Sequence, residues 1–448
     1  MERETLLDEV RNRIRHRDAD AVAQLVQTVN RTEWARLIPD LTAPEVAVLL
    51  QWLPDADIAT VLAELEPETA ADILRTLTRQ AAADLLEAID PDDATDIVEE
   101  LSAIEAEEIL IAMEPAEADE IRELLAYPPD TAGGRMTPAY VAVSPNLRAD
   151  EAVVALRQVA EEAEMVNYVY VTDDDERLLG VLSLHRLVLT APHTRIRDLM
   201  AADVIAVAAR ADQEIAARML NEYDLLALPV IDDDGHLLGI ITVDDVADIL
   251  EEEATEDIER LGGSQPLEES YLRARPILLW RRRVVWLLIL FLAGAYTSTI
   301  LRYFNEELES AVELAYFIPL LIGIGGNVGS QVVTTIVRSM AVDDIAIGDT
   351  IRIVRKEMQT AIMLSAVLAT AMFARTIFMG VGIDLGLVVA LSVTAIVLWA
   401  ALIAAVLPLL LRQLRVDPAV VSAPLITTLV DGTGLIIYFS TARLILDL

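Results

Sequence analysis

The chain has 448 residues, 34 basic and 73 acidic side chains, no cysteine, and a mean hydropathy of +0.42. Up to Pro276 it carries 22 Lys and Arg against 61 Asp and Glu, and beyond that point 12 of each, so the whole net charge of −39 lies on the first part. This excludes a soluble single-domain enzyme, a nucleic-acid binder that needs a positive surface against phosphates, and any thiolate site or disulfide framework. The length suggests roughly three domain-sized units. The opening MERETLLDEVRNRIRHRD, charged throughout, does not read as a signal peptide. The expectation is a membrane protein with a large acidic soluble region before its first span.

Residues 49–125 repeat every twelve positions. Leu49, Val61, Ile73, Leu85, Ile97, Ile109 and Ile121 open successive units, followed four residues later by Leu53, Leu65, Leu77, Ile89, Leu101, Met113 and Leu125. Proline recurs in alternate units at Pro67, Pro91 and Pro115, and an acid closes units at Asp72, Asp84, Asp96, Glu108 and Glu120. Proline in a first helical turn and acids near a helix start are both favourable. The period therefore predicts a right-handed array of short helices stacked as a solenoid. Its polar face is acidic, and solvation alone accounts for any single acid there.

From about Met136 the pattern changes. VYVTDDDERLLGVLSLHRLV, 169–188, recurs 59 residues later as LPVIDDDGHLLGIITVDDVA, 228–247. Each copy reads as a strand, an acidic turn, a second strand opening with Gly180 or Gly239, and a helix. Each also follows a related segment, MTPAYVAV or LMAADVIAV. The pair resembles tandem cystathionine-β-synthase (CBS) domains over about 136–250. Such pairs often bind adenine nucleotides through an Asp at the fourth place of a Ser/Thr-x-x-Asp motif. Thr242 to Asp245 keeps that pattern, whereas the first copy has Ser183 with Arg186 at the fourth place. ATP held near Asp245 and Arg186, and a pair without nucleotide, both remain open.

The connector DDVADILEEEATEDIERLGG, 244–263, has helical apolar spacing at Val246, Ile249, Leu250 and Ile258. Spacings of three and four stack several of its acids on one face, where like charges repel. Divalent cations would relieve that repulsion, and without them the helix and its acidic neighbours would splay. A solvated helix is the competing reading, but three acidic elements converging on a membrane region favour the functional one.

Five stretches pass the length test for crossing about 30 Å of hydrocarbon: Val284–Leu301, Leu314–Val337, Met358 to about Met379, Leu385–Leu411 and Pro418–Ala442. Arg281, Arg282, Arg283, Arg338, Arg352, Arg355, Lys356, Arg412 and Arg415 fall in loops on one side, and Glu306, Glu307, Glu309 and Asp384 on the other. The basic side is expected in the cytosol, which places the acidic region inside and the C-terminus outside. In the second span, IGIGGNVGSQ reads either as a small-residue packing seam or as a pore lining at Gly325, Asn327, Gly329 and Gln331, and the two amides favour the lining. In the fifth, Asp431 follows Pro424 and precedes Gly432 and Gly434. A carboxylate at this depth costs at least ~2.5–3.5 kcal/mol and should face water or a partner. Arg375 is the one basic candidate in the spans, and a cation site is favoured over that pair. Mg2+ gives up its water reluctantly, so one carboxylate with carbonyls and retained waters suffices.

In this order of parts, with PLLIGIGGNVGSQ (319–331), DPAVVSAPLITTLVDGTG (417–434) and MTPAYV (136–141), the chain resembles the MgtE magnesium transporters or channels over essentially its whole length. The resemblance implies a multidomain membrane protein. An acidic helical superhelix at 1–130 precedes an α/β tandem CBS pair at 131–250, a plug helix at 244–272 and an all-α five-helix transmembrane domain at 273–448. It implies a homodimeric Mg2+ pore in a bacterial inner membrane, lined by the second and fifth spans. Asp431 would hold a largely hydrated Mg2+ with carbonyls near Thr427. Asp92 and Asp96 in the superhelix match the family's sensing acids by position, as do Asp224, Asp245 and Asp248 in the pair and Glu253, Glu256 and Asp257 in the plug. Asp417 would share an ion with the plug.

No GxxxxGK(S/T) loop occurs, and His16, His185, His193 and His236 sit at loop or module positions, so no enzymatic chemistry is expected. The reading is a passive channel gated shut by cytosolic Mg2+. Its rivals are a membrane-anchored ion or nucleotide sensor and a transporter of Mn2+ or Co2+. Absence of Cys, and of His in the spans, disfavours softer metals.

Overall fold

The computed structural model describes residues 3–16, 25, 29, 33–34, 37–41, 43–52, 55–159, 165–267, 271, 274–341, 345, 347–414 and 416–447. It divides into two units, Met1–Glu251 and Glu252–Leu448. Leu53 and Arg415, both used above, lie outside the described residues.

In the first unit, α1 (Arg3–His16) and α2 (Ala43–Trp52) precede α3 (Asp55–Ala63), α4 (Pro67–Leu74), α5 (Arg79–Leu86), α6 (Pro91–Glu99), α7 (Ala103–Ala112) and α8 (Pro115–Leu124). The last six begin twelve residues apart, as the repeat requires. Their starts alternate in kind. Pro67, Pro91 and Pro115 open α4, α6 and α8. Thr78 caps α5, and Ser102 with Glu105 forms a reciprocal capping box on α7. Both devices meet the helix start's surplus of N–H groups. Each helix packs on the next but one, so Ala82, Leu86, Ala94, Ile97 and Ile109 join one continuous core.

The same unit continues as two copies of a three-stranded sheet. β1 (Ala142–Val143) runs parallel to β2 (Tyr168–Thr172), which is antiparallel to β3 (Leu178–Ser183). Helix α9 (Ala149–Val159) joins the first two strands and α10 (Leu184–Leu189) follows the third. β4 (Val207–Ala208), α11 (Gln213–Glu222), β5 (Ala227–Ile231) and β6 (Leu237–Thr242) repeat the pattern. The second strands begin two residues earlier than expected, so Gly180 and Gly239 are their third residues, where a Cβ would meet Met200 Sδ or the Thr137 carbonyl at 2.7 Å. The boundary between the units falls within α12 (Asp245–Leu261).

Among the described residues the second unit holds five helices long and apolar enough to cross a membrane: α13 (Pro276–Tyr303), α15 (Ile318–Ala341), α16 (Thr350–Met379), α17 (Ile383–Gln413) and α18 (Ala423–Leu446). The short α14 (Asn305–Ser310) lies between α13 and α15. Helix α17 is central and packs on α15, α16 and α18, burying Val393, Ile396, Val397, Ala400 and Ala404. α13 packs on α18. The helices outrun the apolar stretches because charged residues continue a helix past hydrocarbon: α13 includes Arg281, Arg282 and Arg283, and α16 starts eight residues before Met358. The fifth span is shorter at its start than expected. Pro418–Val420 is a separate 3-10 turn, and α18 begins at Ala423 behind the cap Ser422, whose hydroxyl accepts from Leu425 N.

Candidate functional site

Helices α15 and α18 meet through glycine. A Cβ on Gly325 would lie 2.7 Å from both Ile396 and Val430, one on Gly326 2.8 Å from Thr427, and one on Gly329 2.5 Å from Ile426. Gly325 and Gly329 are therefore buried where α15 packs on its neighbours, as close helix approach requires. The amides behave otherwise. Asn327 and Gln331 are exposed and continue into exposed Thr334 and Arg338, four polar residues along one side of α15. A polar stripe at this depth belongs against water or a partner. Sequence reasoning missed its last two members, which only the helical spacing from Gln331 would have added.

Thr427 donates to the Ala423 carbonyl at 3.0 Å, and its hydroxyl lies 3.3 Å from that of Ser330 on α15. Asp431 is one turn further along the same face of α18. It is half-buried, and its Oδ1 is enclosed with no hydrogen-bond donor. Among the described residues it forms no ion pair, and Arg375 is exposed. The turn before it is fixed from outside. The Tyr296 hydroxyl of α13 is placed to donate to the Thr428 and Leu429 carbonyls at 3.0 and 2.9 Å, and its ring covers Gly432, where a Cβ would fall 2.0 Å away. Any other residue at 432 would displace this tyrosine.

At the start of α18, Asp417 Oδ1 accepts from Ala419 N at 2.8 Å while Oδ2 pairs with Arg260 of α12. The same guanidinium pairs with Glu256. Two acids expected to meet a shared cation are thus bridged by a guanidinium. Half-buried Pro424 lies 3.5 Å from where a Cβ on Gly263 would sit, and Gln265 N donates to the Arg282 carbonyl at 3.2 Å, which seats this end of α12 on the bundle. Glu253 and Asp257 are half-buried. On the opposite loops, Glu307 is buried and accepts from Arg443 Nε at 2.8 Å, so it does not belong to a solvated acidic loop.

The remaining acids lie in the first unit. Asp92 and Asp96 are half-buried in α6, and Asp96 pairs with Arg135 at 3.2 Å. Asp224 is exposed in the left-handed region at φ +50°, which Asp tolerates. Asp245 Oδ2 accepts from Thr242 Oγ1 at 2.9 Å and Thr242 N at 3.1 Å, and burial nevertheless pushes its carboxyl above the ordinary range. Asp248 and Arg186 are exposed. One group was not singled out from sequence: Asp232, Asp234 and His236 cluster at the β5–β6 turn. The His236 ring bonds Asp232 at 2.7 Å and holds its carboxyl down at about 2. Asp173 folds the equivalent turn of the first copy through the amides of Asp175 and Arg177, both at 3.0 Å. A turn motif shared by both copies accounts for the cluster.

Three family descriptions match: "Divalent cation transporter" at 318–441, "MgtE intracellular N domain" at 29–130, and "CBS domain" at 132–191 and 196–252. The magnesium transporter MgtE of Thermus thermophilus is 45% identical over 327 residues, 73% of this chain and 72% of that one. The chain belongs to the MgtE family of magnesium transporters. The Bacillus subtilis MgtE is 36% identical over 72% of this chain and 71% of its own. Among solved structures, the soluble part of a magnesium transporter is 32% identical at a TM-score of 0.52, covering 56% of this chain and all of that one. The cytosolic domain of the Mg2+ channel MgtE in complex with ATP is 34% identical at 0.52, covering 54% of this chain and 99% of that one. These MgtE relatives are named as transporters or channels, not enzymes. The multidomain reading of superhelix, CBS pair and membrane helices stands.

Proposed function

We propose that this chain forms a homodimeric, passive pore in a bacterial inner membrane that admits Mg2+ to the cytosol and closes when cytosolic Mg2+ is high. The observation that carries the pore is Asp431, a half-buried carboxylate in the fifth span with no ion-pair partner among the described residues. A charge at such a position is retained where an ion visits. Asn327 and Gln331 line the path beside it, Pro424 stands at its cytosolic mouth, and Thr427 faces it one turn below. Gly325 and Gly329 act by letting α15 and α18 approach. The basic loops face the cytosol and the C-terminus lies outside.

Regulation rests on the acids of the superhelix, the CBS pair and α12. Asp92, Asp96, Asp224, Asp245, Asp248, Glu253, Glu256 and Asp257 supply the sensing carboxylates, and Asp417 receives the plug. An ion shifts this equilibrium only by binding the closed form more tightly. At Glu256 and Asp417 it must do so against Arg260, and at Asp96 against Arg135. The formed Thr242–Asp245 turn supports a nucleotide at the second CBS copy, with exposed Arg186 available from the first copy, and one relative is described in complex with ATP.

Patch recordings on a variant with Asp245, Asp248, Glu253 and Asp257 neutralised test the gating half. The pore should stay open at high cytosolic Mg2+, and closure like that of the wild type would overturn it. Mn2+ and Co2+ in place of Mg2+ read the selectivity.

A further inference from the structure

Between α15, α16 and α17 lies a cavity of about 210 Å3, at the end of the bundle that carries Arg338 and Lys356. Its polar lining is Gln331, Thr335, Glu357 and Thr360, set against aliphatic side chains such as Val328 and Leu364. The Thr335 hydroxyl donates to the Gln331 carbonyl at 2.9 Å, and the Thr360 hydroxyl to the Lys356 carbonyl at 3.1 Å. With those protons committed to their own helices, both oxygens are left to the cavity as acceptors. Glu357 is half-buried, offers only acceptors as a carboxylate, and forms no ion pair among the described residues. Arg352, Arg355 and Lys356 are not part of the lining.

Two hydroxyl acceptors and one carboxylate beside the Gln331 amide disfavour anions and suit a guest that carries positive charge and donates in several directions. A hydrated divalent cation does both, because its waters point their hydrogens outward. The space admits such a guest: six waters at ~30 Å3 each occupy ~180 Å3, and Mg2+ keeps its waters more readily than other ions of its class. Gln331 belongs both to this cavity and to the polar stripe of α15, so the two adjoin.

We infer that Glu357, with Gln331, Thr335 and Thr360, forms a second seat that holds a hydrated divalent cation through its water shell. The seat lies at the end of the bundle where α15 hands over to α16. It rests on the pore reading for its purpose, but its occupancy is measured separately.

The chain has no cysteine, so a single Met363→Cys substitution at an exposed site beside Thr360 carries one spin label. With full-length protein in lipid nanodiscs, Mn2+ serves as the paramagnetic probe and Mg2+ as competitor. The label should be quenched by Mn2+ and restored by Mg2+. Glu357→Gln should raise the half-quenching concentration by about one order of magnitude, the Coulomb effect of one charge on a divalent ion ~5 Å away in water. Thr360→Val should move it less in the same direction. Quenching unaltered by Glu357→Gln overturns the seat, as does quenching that Mg2+ cannot reverse. Should Glu357→Gln fail to fold, Thr360→Val read from a label at exposed Thr334 decides alone. Mg2+ flux through the unlabelled wild type reads the pore separately, so the two failures are distinct.

Discussion

Arg260 tests how the pore is held shut. Its guanidinium bridges Glu256 and Asp417, with side-chain exposures of 37%, 30% and 34%. At that exposure a pair contributes roughly 0.5–1 kcal/mol; Glu256 lies on α12 itself, so only the pair to Asp417 favours the docked α12, by about 0.5–1 kcal/mol. Removing it also leaves two carboxylates facing one another. Arg260→Ala should raise the open-to-closed ratio roughly 2–5-fold, since 1.4 kcal/mol is a factor of ten. The assay is single-channel recording at a cytosolic Mg2+ concentration that keeps the wild type mostly closed. At saturating Mg2+ the difference should shrink, because an ion between Glu256 and Asp417 replaces the lost charge. Arg260→Lys, which keeps the charge but loses the forked geometry, should fall between. An unchanged ratio would show that the bridge does not bear on the gate. A lower ratio would mean that Arg260 obstructs a tighter Mg2+ site, and the reasoning would fail.

Further outcomes follow from packing and titration. The double variant Gly325→Ala/Gly329→Ala forces methyl groups against Ile396, Val430 and Ile426 and should cost about 1–3 kcal/mol, seen as a lower melting temperature in detergent. Asn327→Ala, on the exposed side, should leave that temperature unchanged. Burial raises the Asp245 carboxyl above its ordinary 3.8. Its native-state stability is therefore greatest below that value and lost as pH rises through the raised one. Asp245→Asn should accordingly stabilise the Mg2+-free protein at neutral pH, with the gain fading as pH falls towards 3.8 in circular-dichroism melts. A gain independent of pH would contradict the burial explanation.

Much of the architecture was legible because local chemistry repeats. Proline at every second helix start and an acid in each unit marked the superhelix, and the alternate caps Thr78 and Ser102 completed a code that proline alone half revealed. The spans were legible in their apolar cores but not in their ends, because hydropathy marks hydrocarbon and not the helix. The candidate site was legible as Asp431, since a lone acid in an apolar run has no local explanation. Tertiary pairing was not. Arg260 and Asp417 are 157 residues apart in sequence and Arg443 and Glu307 are 136 apart, and an acid read from sequence as ion-sharing in the first case and as a loop residue in the second met an arginine. Nor does the pattern Gly325, Gly326, Gly329 say which side of its helix meets a neighbour. Helix α18 decides that, and the polar stripe follows from what it leaves exposed.

The most direct test of the account is Mg2+ entry into proteoliposomes carrying a Mg2+-sensitive dye, wild type against Asp431→Ala, with the melting temperature confirming that both are folded. The account predicts potential-driven Mg2+ flux in the wild type and its collapse in the variant. Equal flux in the two, or none in the wild type when its cytosolic face is free of Mg2+, would contradict it and make Asp431 a structural acid.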